Sequence, residues 1–446
     1  MAGPGPRFRR LADWLAWQET LHPNAIDLGL DRLQRTLDRL AWQRPACPVI
    51  TVAGTNGKGS CVALTACILR AASYRVGTFT SPHLIRDNER IVVDGVEVSD
   101  AALISAFERI DAARGEETLT FFEFNAAAAL LVFAEADLDA VVLEVGMGGR
   151  LDAVNVVDAD VALVTSIDLD HCDWLGRDRE TIGREKAGIF RAGRPAIFGA
   201  RDMPASIRES AQTIGADLQQ LGRDFDWERS GPRWTWRGRA GEQRDLPAPA
   251  LHGEIQYDNA SAVLAALEAL GGSLRVPRSA IEGGLQAVTL PGRFQVVRPG
   301  TSSGIEWILD VAHNPAAART LAAQLGARET AGRTIAVCGI LGDKDIEGIV
   351  SEVRGSFDSW VIVGLQGARA LAPEALATRA RNLGAQVEAV AADVVAGCQV
   401  AEALAHAGDR IVVFGSFLTV GPALGWLYTS RPWSAKSKNA WSARPC

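Results

Sequence analysis

No stretch of this 446-residue sequence is apolar for long enough to cross a bilayer: the longest, residues 126–134, falls well short of the roughly 20 residues a spanning helix needs. The basic start RFRR runs into LADWLAWQETLHP, which carries acids and no small-residue cleavage site, so no leader peptide is expected. Positive charge is also short. Lys and Arg number 46 against 53 Asp and Glu, a net charge of −7, which excludes general binding to nucleic acid or an anionic membrane. Any anionic ligand must then be met by local placement of basic side chains. Cysteines are few: seven, an odd number, with no C-x-x-C spacing and several inside apolar runs such as IAVCGIL. Reduced buried thiols in a cytoplasmic protein are the expectation. No internal repeat is present.

What is there is enough hydrophobic residue, 48%, for two ordinary cores. Strand-like runs alternate with helical patterns: PVITVA (48–53), RVGTFT (75–80), DAVVLEVG (139–146), DVALVTSI (160–167) and RPAIFG (194–199), with a helix over 121–136. That order predicts a parallel sheet with helices on its faces. Residues 222–250 change character, alternating Trp with charge among several glycines, and predict a small antiparallel excursion. A helix over 257–270 follows, and TLPGRFQVV (289–297) reads as a hinge before a second alternation: IEWILDVA, RTIAVCGI, SWVIVGL, QVEAVAA and RIVVFGSF. The final RPWSAKSKNAWSARPC (431–446) is basic, Ser-rich and without period, and is expected to be a disordered tail.

The chemistry concentrates at the ends of these strands. VAGTNGKGSC (52–61) joins a buried strand to the helical pattern CVALTACILRAA, and a glycine-rich turn at a helix N-terminus is a phosphate site. It departs from G-x-x-x-x-G-K-[ST], because position 52 is Val and Gly59 separates Lys58 from Ser60. Glu144 closes a buried strand, where a carboxylate needs a cation, either a magnesium ion or Arg150. SIDLDHCDWLG ends a strand in three Asp and His171, at the sheet edge where parallel sheets bind ligands. Lys186 in REKAGIF reads, from residue type alone, as a surface lysine. ILDVAHNPAAA places Asp310 and His313 at the carboxyl edge of the second sheet, with Asn314-Pro315 as N-cap and first helical residue. Lys344 of GDKD is expected at the same edge.

Taken together, IDLGLDRL, VAGTNGKGS, TSPHLIRDNERI, TFFEF, LEVGMGGRLDAVN, DHCDWLG, REKAGIF, LPGRFQ and DVAHNP resemble, in order over about residues 14–428, the folate branch of the Mur ligase superfamily, the bifunctional dihydrofolate synthase/folylpolyglutamate synthases. The resemblance implies an α/β protein: a P-loop-containing, doubly wound parallel-sheet ATPase domain over 1–295 that binds ATP and pterin, and a smaller Rossmann-like C-terminal glutamate-ligase domain over 296–430. It implies ATP-dependent amide ligation, in which a substrate carboxylate attacks the γ-phosphate to give an acyl phosphate and the glutamate amine then displaces phosphate through a tetrahedral intermediate. By motif, Gly54, Thr55, Asn56, Gly57, Lys58, Gly59 and Ser60 hold the ATP phosphates, and Asn259, Arg293, Asp310 and His313 complete the nucleotide contacts. Ser81 with Glu144 takes one Mg2+ and His171 a second. The lysine matching Lys186 is carbamylated, giving a carboxylate beside the metals. Lys58, Lys186 and His171 are thus the catalytic set, and a monovalent cation is a further cofactor candidate. Thr120, Phe121, Phe122 and Glu123 with Leu151, Asp152 and Ala153 match the pterin-binding segments. Met147 replaces the commoner Leu of GLGGR, a volume-conserving change.

The partners so implied are dihydropteroate, tetrahydrofolate and its polyglutamates, and L-glutamate, handled by a cytoplasmic monomer with no nucleic-acid or membrane partner. Three rivals stand beside this expectation: a monofunctional folylpolyglutamate synthase, a cell-wall Mur ligase, and a nucleotide-binding switch without chemistry. The switch would need no Glu144, His171 and Lys186 together.

Overall fold

The computed structural model describes residues 7–297 and 304–429; the expected tail at 431–446 lies outside them. The first sheet has eight strands: β1 (Val49–Ala53), β2 (Val76–Phe79), β3 (Ile91–Val93), β4 (Val96–Glu97), β5 (Ala140–Glu144), β6 (Val161–Val164), β7 (Pro195–Phe198) and β8 (Asp217–Gln220). They lie in the order β4-β3-β2-β5-β1-β6-β7-β8. Pairing is parallel from β2 across to β8, and only the β2–β3–β4 edge is antiparallel. That edge is a hairpin over Asp94-Gly95, both at positive φ, a turn signal present in the sequence as VDGV.

The central strand shows why the runs are apolar throughout. Side chains alternate across a strand. Ile50 and Val52 enter one core with the helices Lys58–Ala71 and Ile255–Leu270, while Val49 and Ala53 enter the other with Phe121–Glu135. Both faces are covered, so four of its five residues are apolar and the fifth, Thr51, is buried as well. β1 sits between β5 and β6, where the order of connection reverses, and its carboxyl end opens onto the crevice used for ligands in such sheets.

The excursion over 222–250 contains the antiparallel strands β9 (Asp226–Ser230), β10 (Arg233–Arg237) and β11 (Glu242–Pro247). Its tryptophans roof the helix Ile255–Leu270: Trp227 stacks on Tyr257 at 5.0 Å and donates from Nε1 to Asp258 at 2.7 Å.

The second sheet runs β12-β13-β17-β14-β15-β16, built from β12 (Gln295–Val297), β13 (Glu306–Asp310), β14 (Thr334–Cys338), β15 (Ser359–Val363), β16 (Val387–Ala391) and β17 (Arg410–Phe414). All pairs are parallel except β12–β13. The expected hinge therefore runs directly into an edge strand of this sheet. Cys47, Cys61, Cys172 and Cys338 are free thiols. Among the described residues no helix is long and apolar enough to cross a membrane.

Candidate functional site

The phosphate loop follows β1 and turns into the helix Lys58–Ala71. Gly54 and Gly57 hold φ of +144° and +89°, which only glycine adopts without strain. A Cβ on Gly57 would stand 2.7 Å from Asn259 Oδ1, and one on Gly54 would overlap the Thr165 side chain. Both the backbone conformation and the packing thus require glycine here. Lys58 folds back over it, donating from Nζ to the carbonyls of Gly54 at 3.1 Å and Thr55 at 3.2 Å.

Glu144 ends β5 in full burial, 5% exposed. Its Oε2 accepts from the Ser81 backbone N–H at 3.2 Å, and it has no ion-pair partner among the described residues. Arg150, the alternative partner, pairs with Glu185 at 2.9 Å. Burial raises the Glu144 pKa against the pull of Lys58, Arg293 and Arg90. Arg293 Nη2 and Glu144 Oε2 both approach Gly59, 3.7 and 3.8 Å from where a Cβ would stand. The Arg293 guanidinium lies 5.2 Å from the Phe417 ring centroid.

Lys186 is not a surface lysine. It ends the helix Arg179–Lys186, is 4% exposed, and donates from Nζ to Gly54 O at 2.9 Å. Burial, reinforced by Lys58, lowers its pKa to about 7, so a large share of it is neutral amine at physiological pH. His171 caps a short helix at φ +52°, and burial lowers its imidazole to about 4, leaving it neutral and able to ligate.

Asp170, beside His171, was not singled out by sequence reasoning. It accepts from Lys344 Nζ at 2.6 Å and Asn314 Nδ2 at 3.1 Å, and His313 Nε2 lies 3.4 Å away. Burial opposes its ionisation, but His313, Lys344 and His171 hold its carboxyl well below the usual range. Asn314 also exchanges two amide hydrogen bonds with Asn56 of the phosphate loop, 3.0 and 3.1 Å, while capping its own helix through Ala317 N. The second sheet's carboxyl edge is therefore fastened onto the phosphate loop. Asp310, at the end of β13, is not merely solvated: it accepts from the N–H groups of Phe294 and Ala312, each at 2.8 Å.

The segments expected to bind the pterin lie across the same space. Thr120 and Glu123 form a reciprocal capping box at the start of Phe121–Glu135, and the other Glu123 oxygen accepts from Arg32 at 3.2 Å. Both oxygens are engaged within the protein, so Glu123 builds the helix end. Asp152 accepts from Met147 N and Val154 N, and burial raises its carboxyl to about 7. Phe122 packs on Phe79 at 5.7 Å and against Gly146, where a Cβ would stand 2.6 Å from its ring.

One cavity of about 1020 Å³ is lined by every residue expected at the site: the loop Gly54–Ser60, Ser81, Thr120–Glu123, Glu144, Leu151–Ala153, His171, Lys186, Asn259, Arg293, Asp310 and His313. It also takes in the loop from His22 to Gly29, of which only Ile26 to Gly29 fall within a motif that sequence reasoning quoted. No group of three or more His, Cys, Asp and Glu side chains is gathered among the described residues.

A phosphate loop at the switch point of a parallel sheet, a buried unpaired carboxylate and a second α/β unit closed over both define an ATP-dependent ligase of the Mur type. The Mur ligase middle domain matches residues 52–224, and the Mur ligase glutamate ligase domain residues 292–417. The chain belongs to the dihydrofolate synthase/folylpolyglutamate synthase family. It is 45% identical to the dihydrofolate synthase/folylpolyglutamate synthase of Escherichia coli strain K12 over 410 residues, 92% of this chain and 94% of that one. It is 35% identical to the Mycobacterium tuberculosis enzyme of the same name, over 91% of each chain. The structure of E. coli FolC in complex with DHPP and ADP superimposes with a TM-score of 0.90 at 43% identity, covering 96% of this chain and all of that one. A bifunctional folylpolyglutamate synthase/dihydrofolate synthase with Mn, AMPPNP and L-glutamate bound gives a TM-score of 0.86 at 42% identity, over 96% of this chain and 100% of that one.

Proposed function

We propose that this chain joins L-glutamate to dihydropteroate, giving dihydrofolate, and to tetrahydrofolate glutamates, giving polyglutamates, each through an acyl phosphate made from ATP. The observation that carries the reading is the single cavity: phosphate loop, buried Glu144 and Lys186, and the segments Thr120–Glu123 and Leu151–Ala153 all face one space. A carboxylate seated there can reach the γ-phosphate without crossing bulk water. The enzyme needs no covalent nucleophile, because the substrate carboxylate attacks. Its work is positioning and charge stabilisation.

In this reading residues 1–295 bind ATP and pterin, and residues 296–430 bring the amino acid. The backbone N–H groups of the loop cradle the phosphates, and Lys58 leaves the Gly54 and Thr55 carbonyls to meet the γ-phosphoryl group. Asn259, Arg293, Asp310 and His313 contact the nucleotide from both units. Ser81 and Glu144 would hold one magnesium ion and His171 a second, supplying charge neutralisation along the triphosphate. A neutral Lys186 amine adds to carbon dioxide to form a carbamate with release of one proton. The product replaces a buried cation with the anion that two divalent ions call for. A monovalent cation beside them and a monomeric, cytoplasmic state complete the reading.

ADP release measured with L-glutamate plus dihydropteroate, tetrahydrofolate or a UDP-muramoyl peptide tests it. Turnover with both folate acceptors and none with the muramoyl peptide is expected. No use of dihydropteroate reduces the activity to polyglutamate synthesis, and turnover with the muramoyl peptide alone overturns the folate reading.

A further inference from the structure

The loop after β2 brings a further cation to the cavity, and none of the roles above uses it. Arg90 closes the turn Asp87–Arg90, and its side chain is 9% exposed. Nε donates to His83 Nδ1 at 3.0 Å and lies 3.6 Å from Asp87 Oδ1. Its guanidinium carbon stands 5.3 Å from the ring centroid of Phe121, the first residue of the pterin-segment helix. Burial opposes its charge, while Asp87, Glu89 and Glu144 favour it.

A guanidinium carries five N–H donors. The Nε donor of Arg90 is used, while Nη1 and Nη2 donate to no group among the described residues. Neither is among the side-chain atoms sealed from solvent without a partner. The part of this buried side chain that remains open is therefore its fork, and Arg90 lines the cavity together with Phe121, Glu144 and Lys58. Asp87 and Glu89 offset the charge, but four buried N–H donors without acceptors remain costly until a group with matching oxygens meets them. The planar fork matches a carboxylate in two parallel hydrogen bonds better than it matches a single oxygen.

We propose that Arg90 is the substrate-positioning residue that receives the carboxylate of the pterin acceptor, holding it between the aromatic seat at Phe121 and the phosphate loop. For dihydropteroate this is the p-aminobenzoate carboxylate, the group that must face the γ-phosphate. The inference rests on the functional reading above and deepens it. The triphosphate is the rival anion; it has the loop N–H groups, Lys58 and Arg293 on its own side, whereas Arg90 lies over the pterin segment.

The test compares pteroate with its analogue lacking the carboxyl group, binding to the protein preloaded with AMPPNP and magnesium, by calorimetry. The unmutated protein should prefer pteroate by roughly tenfold or more, the worth of a charge-assisted pair. Arg90→Gln should bind the two alike, with AMPPNP affinity and unfolding midpoint unchanged, and in turnover should raise KM for dihydropteroate rather than KM for ATP. Arg90→Lys keeps the charge without the fork and should lose several-fold of the preference; it carries the test should Arg90→Gln not fold. An undiminished preference in either variant, or a parallel loss of AMPPNP affinity, overturns the assignment. Binding of neither compound by the unmutated protein would instead overturn the functional reading on which it rests.

Discussion

Lys186→Met should make the empty protein more stable while abolishing its activity. Lys186 Nζ donates only to Gly54 O, and that carbonyl also accepts from Lys58 Nζ at 3.1 Å, so removing the amine leaves it partnered. Met is apolar and of similar length, so the space is refilled. Burial, with Lys58, takes the lysine from 10.5 to about 7 in the folded state. Between those values the unfolded chain holds a proton that the folded chain has released. Stability conferred at this position therefore rises with pH from about 7 to about 10.5 and is flat outside that window. At roughly 1.4 kcal/mol per pH unit the burden at pH 7 is about 5 kcal/mol, an upper bound that relaxation and water penetration reduce. Lys186→Met should accordingly gain about 2–4 kcal/mol at pH 7, a rise of several degrees in Tm, and little at pH 10. Asp152, raised to about 7, has the opposite slope but acts between about 4 and 7, below this window. Urea and thermal unfolding in carbon-dioxide-free buffers at pH 7, 8.5 and 10 measure the difference. Adding bicarbonate should stabilise the unmutated protein alone. A variant less stable than its parent at pH 7, or a difference that does not shrink by pH 10, would refute the account.

Lys58→Ala should lower kcat by at least about a hundredfold, since it removes charge stabilisation in the transition state, with an unfolding midpoint within a degree or two of the parent. Glu144→Gln should raise the magnesium concentration needed for half-maximal turnover or abolish turnover; an unchanged magnesium titration would remove Glu144 from the metal site. Phe122→Ala and Asp152→Ala should cut kcat/KM for dihydropteroate about tenfold more than for tetrahydrofolate, because a buried polar group left unpaired discriminates strongly; equal losses would argue for one shared pterin seat. Asp170→Asn leaves Lys344, whose side chain is 8% exposed, without its counter-charge, so affinity for AMPPNP should fall roughly tenfold or more, and unchanged affinity would show that the clamp does not hold the closed site.

The strands were legible because both faces of each sheet are covered, which forces continuous apolar runs such as Val49–Ala53. The phosphate loop was legible because glycines between a strand and a helix have few other uses. The β3–β4 hairpin was equally readable in VDGV and was missed, as was the capping-box spacing of Thr120 and Glu123, T-x-x-E, which marks a helix start before any ligand is invoked. The burial of Lys186 could not be read locally, since a lysine in the last turn of a helix is ordinarily a surface residue. Its environment is made by Gly54, 132 residues away. The Asp170 contacts span 144 residues to Asn314 and 174 to Lys344, and no periodicity within either segment encodes which carboxylate of SIDLDHCD will meet them.

The charge distribution of the cleft follows from those long-range contacts. A chain with net charge −7 gathers Lys58, Lys186, Arg293, Lys344 and Arg90 around one cavity. Lys344 is neutralised by Asp170, and Arg293 is favoured by Asp310 and Glu144. Lys58 instead disfavours the charge of Lys186, as Arg293 does that of Lys58, and both lysines donate to carbonyls of the phosphate loop. Burial lowers the pKa of Lys58, Lys186, Arg293 and Arg90 alike. Burying these cations costs the fold stability, and a triphosphate with its metal ions would relieve several of these burdens together. Ligand binding to the native state alone adds RT ln(1 + [L]/Kd), about 2.7 kcal/mol at a hundredfold excess over Kd. Relief of cation repulsion makes that gain depend on salt less than a surface site would, because the groups are shielded from the solvent that screens them. Midpoint shifts with AMPPNP and magnesium at 50 and 500 mM salt should therefore stay within about a factor of two, and collapse of the shift at the higher salt would place the nucleotide on an exposed face instead.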